Sequence, residues 1–400
     1  MGHLNRQLDP AQTGPAAERL EGDLRKRIVG QDEAITQIVN TYQTFLAGMS
    51  SSGRPVGSFL FLGPTGSGKT RMVEAAAESL VGDMRAVVKI DCAEFQHSHE
   101  IAKLIGAPPG YLGHRETHPL LSQDVLNQYQ TETFKLSFVL FDEIEKASDA
   151  LWNLLLGILD KATLTLGDNR RVDFSRAIIF MTSNLGAAEM NSILRPNFGF
   201  ASSEVDRQRL EGETDEGLAG KVNRAGLDAA RRRFAPEFIN RIDKTIVFRA
   251  LGERELRNIL TIELKILQER IFHSAPAVPF VFSVMEPAKD YLLQQGTDVK
   301  YGARHLKRAI DQSLVQPLSN LIATGQVRGG DLIRVDYDKA CGRVTFFKDG
   351  ENMPFSAMAQ MADISRVANA RALLAKAVSI PPGASSVRGP RRQVGPLHEI

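Results

Sequence analysis

The sequence is poor in cysteine, in net charge and in long apolar runs. Its 400 residues include two cysteines, Cys92 and Cys341, which lie far apart. This spacing excludes a disulfide framework and a cysteine-based metal motif, so we expect a reducing, cytoplasmic location. The 49 basic and 47 acidic side chains leave a net charge of +2, which gives no general attraction to nucleic acid or to a membrane surface. No apolar segment resembles a signal peptide core or a membrane span.

The order of strand and helix patterns predicts an α/β fold with a second, smaller domain. Residues 1–17 are polar and predict a disordered N-terminus. Residues 18–250 predict a large domain with a parallel sheet flanked by helices, and residues 251–350 a small α+β domain. Residues 351–400 predict a tail with one helix candidate, at 358–378, followed by disorder. The predicted strands of the large domain are 56–62, 86–91, 136–141, 176–181 and 244–248, and 186–226 is predicted as a long loop with some helix.

A glycine-rich segment follows the first predicted strand. Residues 63–70 read Gly-Pro-Thr-Gly-Ser-Gly-Lys-Thr, a pattern that would arise by chance in about one or two chains in a hundred of this length. Glycines at three positions let the backbone amides close around phosphate groups. The Lys69 ammonium group can bind the β- and γ-phosphates, and the Thr70 hydroxyl can coordinate Mg²⁺. The segment therefore predicts a site for a nucleoside triphosphate with magnesium, formed by Gly63, Pro64, Thr65, Gly66, Ser67, Gly68, Lys69 and Thr70.

Polar side chains end two further predicted strands. Asp142 and Glu143 follow the run 138–141, at the sheet edge where such folds bind ligands. Asp142 is suited to the coordination shell of the magnesium ion. Glu143 is suited to act as the general base that takes a proton from the attacking water. Asn184 follows the strand at 176–181 and can orient that water. The alternatives are an acidic strand cap at 142–143 and an ordinary turn residue at Asn184.

Five motifs together resemble an AAA+ ATPase of the Clp/heat-shock unfoldase family, and are most similar to the second ATPase module of its two-ring members. The resemblance covers about residues 20–348. A chain of 400 residues has room for one such module, so we expect a single-module protein. The motifs are Arg-Ile-Val-Gly-Gln-Asp-Glu-Ala at 27–34, Gly-Ala-Pro-Pro-Gly-Tyr-Leu-Gly at 106–113, Phe-Asp-Glu-Ile-Glu-Lys at 141–146, Arg-Phe-Ala-Pro-Glu-Phe-Ile-Asn-Arg-Ile-Asp at 233–243 and Tyr-Gly-Ala-Arg at 301–304.

The resemblance implies roles for four residues around the nucleotide. Val29 and Gly30 belong to the adenine-side motif. Arg241 corresponds to the arginine finger, which reaches a nucleotide held by the neighbouring subunit of a hexameric ring. Arg304 corresponds to the sensor arginine of the small domain. Either arginine could instead cap a helix or pair with an acid.

The resemblance also implies two loops that contact proteins. Gly110, Tyr111, Leu112 and Gly113 match the pore loop, whose aromatic residue grips an extended polypeptide. Phe198, Gly199 and Phe200 stand where peptidase-docking members have an aliphatic-Gly-Phe or aliphatic-Gly-Leu tripeptide, and Phe198 departs from that pattern. A buried loop tyrosine and a tip folded back on its own domain are the alternatives. The segment 161–166 departs from the acidic, glycine-containing turn of the family, which puts a secondary pore contact in doubt.

These features predict an ATP- and Mg²⁺-dependent unfoldase or remodelling chaperone that threads unfolded or tagged protein through a homo-oligomeric ring. It could deliver that protein to a Clp-type peptidase or act as a free-standing chaperone. A non-threading AAA+ switch acting on nucleic acid is the other candidate, but the nearly neutral net charge disfavours it. A scaffold that binds ATP without turnover is disfavoured because Glu143, Asn184, Arg241 and Arg304 are all present.

Overall fold

The structure, a computed structural model, describes residues 9–107, 119–132, 134–194, 215–273, 279–296 and 302–362. Within these ranges the chain forms a large domain around a parallel sheet, followed by a small domain with a sheet of its own. None of the helices in these ranges combines the length and the apolar character needed to cross a bilayer.

Five parallel strands form the central sheet of the large domain, and a short antiparallel pair is separate from it. The strands are β1 Gly57–Leu62, β2 Val88–Asp91, β3 Ser137–Asp142, β4 Thr163–Thr165, β5 Arg171–Asp173, β6 Ala177–Ser183 and β7 Lys244–Val247. Their order in the central sheet is β2-β3-β6-β1-β7. Every residue of β1 and β6 is buried, as expected for strands covered by helices on both faces. The antiparallel pair consists of β4 and β5, which lie between β3 and β6 in the chain.

Helices cover both faces of this sheet and enclose two apolar cores. In one core Phe59 of β1 stacks on Phe180 of β6, with 5.2 Å between ring centroids. The other core contains Leu151 and Leu155 of the helix that follows β3. The helices of the large domain are Pro15–Arg27, Asp32–Leu46, Lys69–Val81, Ala102–Ile105, Gln123–Asn127, Asp149–Lys161, Ala187–Leu194, Asp215–Arg233 and Pro236–Ile239, with short 3₁₀ turns at Cys92–Glu94, Ser98–Ile101 and Ile144–Lys146.

The predicted parallel sheet is confirmed, but the predicted start of the large domain at residue 18 is wrong. The first helix begins at Pro15, and Ala17 within it is fully buried, so the folded chain begins before residue 18. Proline is favoured in the first turn of a helix, which explains this start. The stretch 186–226 was predicted as a long loop with some helix, and its described part contains the helix Ala187–Leu194 and the first part of the 19-residue helix Asp215–Arg233. Residues 1–8 lie outside the described ranges.

The small domain is a three-stranded sheet packed against helices. Its strands are β8 Val281–Val284, β9 Leu332–Asp338 and β10 Arg343–Gly350. Strand β9 pairs antiparallel with β10 and parallel with β8. The helices are Glu253–His273, Glu286–Gly296, Ala303–Ile310, Gln316–Ala323 and Phe355–Met361, and a π-helical turn at Asp311–Val315 joins the third to the fourth.

The last described helix belongs to the small domain and corrects the predicted boundary at residue 350. The side chain of Met358 is 2% exposed and packs in one cluster with Phe272 and Val281. The Phe355 ring lies 5.6 Å from that of Phe272. Burial of these apolar groups holds the segment on the domain, so the domain extends at least to Met361. The predicted disorder after this helix concerns residues outside the described ranges.

Candidate nucleotide-binding and hydrolysis site

The glycine-rich loop runs from the carboxyl end of β1 to the helix Lys69–Val81. The φ angles of Gly63, Gly66 and Gly68 are 144°, 78° and 99°, which side chains with a β-carbon rarely adopt. A β-carbon on Gly63 would lie 2.4 Å from the carbonyl oxygen of Phe248. The loop therefore needs glycine at this position, and it ends at a helix N-terminus, which favours anions.

Lys69 is buried at the centre of the loop, with 7% of its surface exposed. Its ammonium group donates to the carbonyl oxygens of Gly63 at 2.7 Å and Pro64 at 2.9 Å, and to Oδ1 of Asn184 at 3.0 Å. Burial lowers the pKa of Lys69 to about 8, against the opposing charges of Glu145 and of the two carboxylates at the end of β3. An anionic phosphate next to this ammonium group would offset the cost of burying its charge.

Asp142 ends β3 beside the loop, as the sequence predicted. The Thr70 hydroxyl donates to its Oδ1 at 3.3 Å, and the Thr182 hydroxyl also donates to Oδ1. Lys89 of β2 lies 3.5 Å from the same carboxylate. Magnesium in phosphate sites is held by a few hard oxygen ligands together with the phosphates. Thr70 and Asp142 fit that role.

The residue after Asp142 has an unusual backbone. Glu143 has φ 57° and ψ 48°, the left-handed region that is costly for any residue but glycine. Its N–H donates to the Thr182 hydroxyl at 3.1 Å, and its Oε1 accepts from the Asn184 amide at 3.4 Å. Its other oxygen pairs with Lys146, and this raises the pKa of that lysine. The structure therefore brings Glu143, Asn184 and Lys69 together.

A cleft of about 440 Å³ lies between the two domains and includes the phosphate loop. Ile28 and Val29 line it from the large domain, and Ile259 and Ile262 line it from the small domain. Gly30 turns the chain beside them with φ 74°. An apolar slot next to a phosphate loop suits the flat face of a base.

Gln31, a residue the sequence analysis did not single out, joins the phosphate loop to the segment that follows β7. Its side-chain nitrogen donates to the carbonyl oxygens of Ser67 at 3.1 Å and Arg249 at 3.0 Å. Its Oε1 accepts from the Arg249 N–H at 3.2 Å. Its position in the Val-Gly-Gln run of the adenine-side motif could have pointed to this residue. Its hydrogen-bond partners could not be identified from the sequence, because they lie 36 and 218 residues away in the chain.

The small domain contacts the phosphate loop directly. Arg304 lines the cleft, as predicted for the sensor arginine. The N–H of Ala303 donates to the carbonyl oxygen of Gly66 at 3.3 Å. A β-carbon on Gly302 would lie 2.9 Å from that same oxygen. The start of the helix Ala303–Ile310 thus rests on the loop. Tyr301 of the motif lies outside the described ranges.

Arg241 lies away from the site of its own chain. Its guanidinium pairs with Asp160 at 2.9 Å, and its carbonyl oxygen accepts from Ser58 at 3.4 Å. Ser58 precedes Gly63 by five residues along β1, which is about 16 Å of extended chain. Arg241 is therefore at the amino ends of the strands, whereas the phosphate loop is at their carboxyl ends.

The two predicted protein-contacting loops, Gly110–Gly113 and Phe198–Phe200, lie outside the described ranges. The structure does describe the segment 161–166, whose sequence departs from the acidic, glycine-containing turn of the family. The helix ends at Lys161, Ala162 adopts φ 49°, and Thr163–Thr165 pairs with Arg171–Asp173 as a short ribbon.

One buried polar atom tests whether the site suits a charged ligand. Within the described ranges, Oγ of Ser67, a residue that lines the cleft, is inaccessible to solvent and has no hydrogen-bond partner in the protein. Buried polar groups are normally paired, and a hydroxyl can donate to a phosphate oxygen. Together with the positive-φ glycines and the buried Lys69, it fits a nucleoside triphosphate with its metal.

Two known families match consecutive parts of the chain. Residues 54–245 match the AAA domain (Cdc48 subfamily), and residues 251–335 match the C-terminal, D2-small domain of ClpB protein. The two matches meet at the boundary between the large and small domains.

The chain is also similar to individual chaperones. It is 40% identical over 316 residues to the chaperone protein ClpB of Bdellovibrio bacteriovorus, a match that covers 79% of this chain and 33% of ClpB. It is 38% identical over 319 residues to ClpC, the ATP-binding subunit of the ATP-dependent Clp protease, of Staphylococcus saprophyticus, with coverage of 80% and 36%. It therefore spans about a third of the length of these relatives. A closed-state reconstruction of Hsp104 with ATPγS and casein shares the fold, with a TM-score of 0.67, 29% identity and coverage of 83% of this chain and 51% of that one.

Proposed function

Because this chain belongs to the AAA+ ATPases of the Clp/heat-shock family, we propose that it hydrolyses ATP and uses the energy to unfold or remodel other proteins. The observation behind this proposal is the convergence of Lys69, Thr70, Asp142, Glu143 and Asn184 at one sheet edge, next to a cleft that Arg304 closes from the small domain.

Each of these groups has a place in hydrolysis. The loop amides and Lys69 hold the phosphates, while Thr70 and Asp142 hold Mg²⁺, which offsets phosphate charge. Glu143 takes a proton from the attacking water, and Asn184 orients that water toward the γ-phosphate. Arg304, a residue of the small domain, binds phosphate oxygens of the nucleotide. Release of the cleaved phosphate is thereby linked to a movement of the small domain.

Arg241 extends the proposal to an assembly of copies. It lies at the opposite edge of the sheet from its own nucleotide loop, so it serves a neighbouring copy. A contact in which one edge of a subunit meets the other edge of the next is heterologous, and it gives a closed ring when the rotation between successive copies closes. The ring is a hexamer by resemblance to the family.

Protein substrates are proposed from the relatives and from the sequence of the pore loop. The related Hsp104 structure contains casein. Tyr111, between glycines 110 and 113, is the residue that grips polypeptide in the central pore.

Delivery to a Clp-type peptidase through Phe198–Phe200 is proposed from the similarity to ClpC, whose name identifies it as a protease subunit. The action is proposed to be cytoplasmic, which suits the free Cys92 and Cys341.

ATP turnover with and without casein tests the proposal, in the wild type and in Tyr111→Ala. We expect casein to stimulate the wild type and to leave the variant at its basal rate. Equal turnover in all four conditions would remove threading from the proposal and leave an ATPase with another client. Absence of nucleotide binding would contradict the proposal as a whole.

A further inference from the structure

The turn at residues 143–146, here called the Glu143 turn, needs support from its surroundings. Glu143 has a left-handed backbone although it carries a side chain. A residue keeps such a conformation only where neighbouring groups hold it. The turn closes on itself through the N–H of Lys146, which donates to the Glu143 carbonyl at 3.0 Å.

Two side chains from other elements hold the next carbonyl groups of this turn. The indole N–H of Trp152 donates to the carbonyl oxygen of Ile144 at 3.1 Å. The guanidinium of Arg233 donates to the carbonyl oxygen of Glu145 at 3.0 Å. The same guanidinium lies 4.6 Å from the centre of the Trp152 ring, so each side chain also steadies the other.

Trp152 also packs against the segment that leads to Arg241. Its ring meets Phe234 edge-on at 5.5 Å and lies 6.5 Å from Phe238. Both phenylalanines are 2% exposed. The helix of Trp152, Asp149–Lys161, carries near its other end Asp160, the ion-pair partner of Arg241. One helix thus contacts both the Glu143 turn and the finger segment 234–241.

We infer that Trp152, assisted by Arg233, is a positioning residue that fixes Glu143 for proton transfer and ties it to the finger segment. The inference rests on the proposed ATP hydrolysis. Among the described residues neither side chain lines the nucleotide cleft. Their loss should therefore slow the chemical step without weakening the binding of nucleotide.

Trp152→Phe separates the hydrogen bond from the packing, because it keeps an aromatic ring and removes the N–H. Loss of one hydrogen bond that holds a reacting group predicts a decrease in kcat of about three- to tenfold. The Kd of ATPγS should stay unchanged.

Arg233→Met should give a similar decrease in kcat. The double variant should be no slower than the slower single variant, because both side chains act on one turn. Arg231→Met is the matched control, since Arg231 is exposed on the same helix and pairs only locally with Asp228.

Amide hydrogen exchange of the peptide 138–150 tests the positioning role without relying on turnover. Faster exchange in Trp152→Phe, with unchanged exchange in 57–70, is the expected result. Wild-type kcat and wild-type exchange in this variant would overturn the inference. A joint loss of kcat, ATPγS affinity and thermal stability would also overturn it, because it would show a general packing role. If the wild type and Glu143→Gln were both without turnover, the proposed function would fail, and the exchange rates would still decide the role of Trp152.

Discussion

Arg241 and Asp160 form an ion pair within one chain, with 2.9 Å between Nη1 and Oδ1. If Arg241 reaches the nucleotide of a neighbouring copy, this pair must break first. The side chains are 50% and 30% exposed, and exposed pairs contribute about 0–1 kcal/mol. Asp160 therefore restrains the finger weakly, and a phosphate can displace it.

Asp160→Asn should ease this exchange. We expect turnover to reach its half-maximal value at a protein concentration up to about fivefold lower, because the pair no longer opposes the contact between copies. Turnover measured over a dilution series checks this expectation. Asp228→Asn removes another exposed partner of an arginine and should change nothing. Lower turnover in Asp160→Asn at every concentration would show that Asp160 supports the finger rather than restraining it.

Glu143→Gln should abolish turnover and keep nucleotide binding. A positioned general base contributes about 10²- to 10⁴-fold in rate, so kcat should fall by at least about a hundredfold. The amide retains the size of the side chain and cannot accept the proton. Single-turnover measurements and ATPγS titrations check the two parts. A loss of less than about tenfold would show that another group activates the water.

The pKa of Lys69 predicts how stability without nucleotide depends on pH. Burial lowers this pKa from 10.5 to about 8. Between these values the unfolded chain binds more protons at this group than the folded chain does. The contribution of Lys69 to the free energy of unfolding therefore rises with pH from about 8 to 10.5, and below 8 its buried charge is a full cost.

Lys69→Met should remove that pH dependence. The variant loses the hydrogen bonds of the ammonium group at every pH, so the test is the change with pH: without nucleotide, the stability of the variant relative to the wild type should be higher at pH 7 than at pH 10, by about 1–3 kcal/mol. Urea unfolding at a series of pH values measures it. Lys89→Met, which removes a half-exposed lysine that pairs with Asp142, is the control. A difference that grows with pH would contradict the assignment.

Gly302→Ala should detach the small domain from the phosphate loop. Gly302 has φ 53°, and a β-carbon there would lie 2.9 Å from the Gly66 carbonyl oxygen. The contact from Ala303 to Gly66 would be lost, and ATPγS affinity should fall by about fivefold or more. Gly325→Ala is a matched control, because Gly325 also has a positive φ, 71°, but open space around it. If the two variants bound ATPγS with equal affinity, any change would come from backbone strain at a positive φ and not from the contact with Gly66.

The parts of the site that the sequence predicted are local in the chain. The loop at 63–70 and the carboxylates at 142–143 each follow directly on a buried strand, so strand pattern and neighbouring residue types were sufficient. Parallel strands then bring these ends to one edge. Asn184 follows β6 in the same way and lies next to Glu143.

The remaining parts depend on contacts between distant residues. Gln31 binds Arg249 across 218 positions, and Trp152 meets Phe234 across the fold, and neither pairing leaves a periodic signal. Ala17 was assigned to a disordered N-terminus, and Met358 to a helix candidate in a tail outside the small domain, whereas tertiary packing buries both. Burial of an isolated apolar residue near a chain end cannot be derived from local pattern.

Trp152 is the single tryptophan of the sequence. Its indole is hydrogen-bonded one residue after Glu143 and is stacked under a guanidinium. The tryptophan fluorescence of this chain therefore comes from one indole close to Glu143. Without any attached dye, its emission can follow that neighbourhood in real time as nucleotide arrives, is cleaved and leaves.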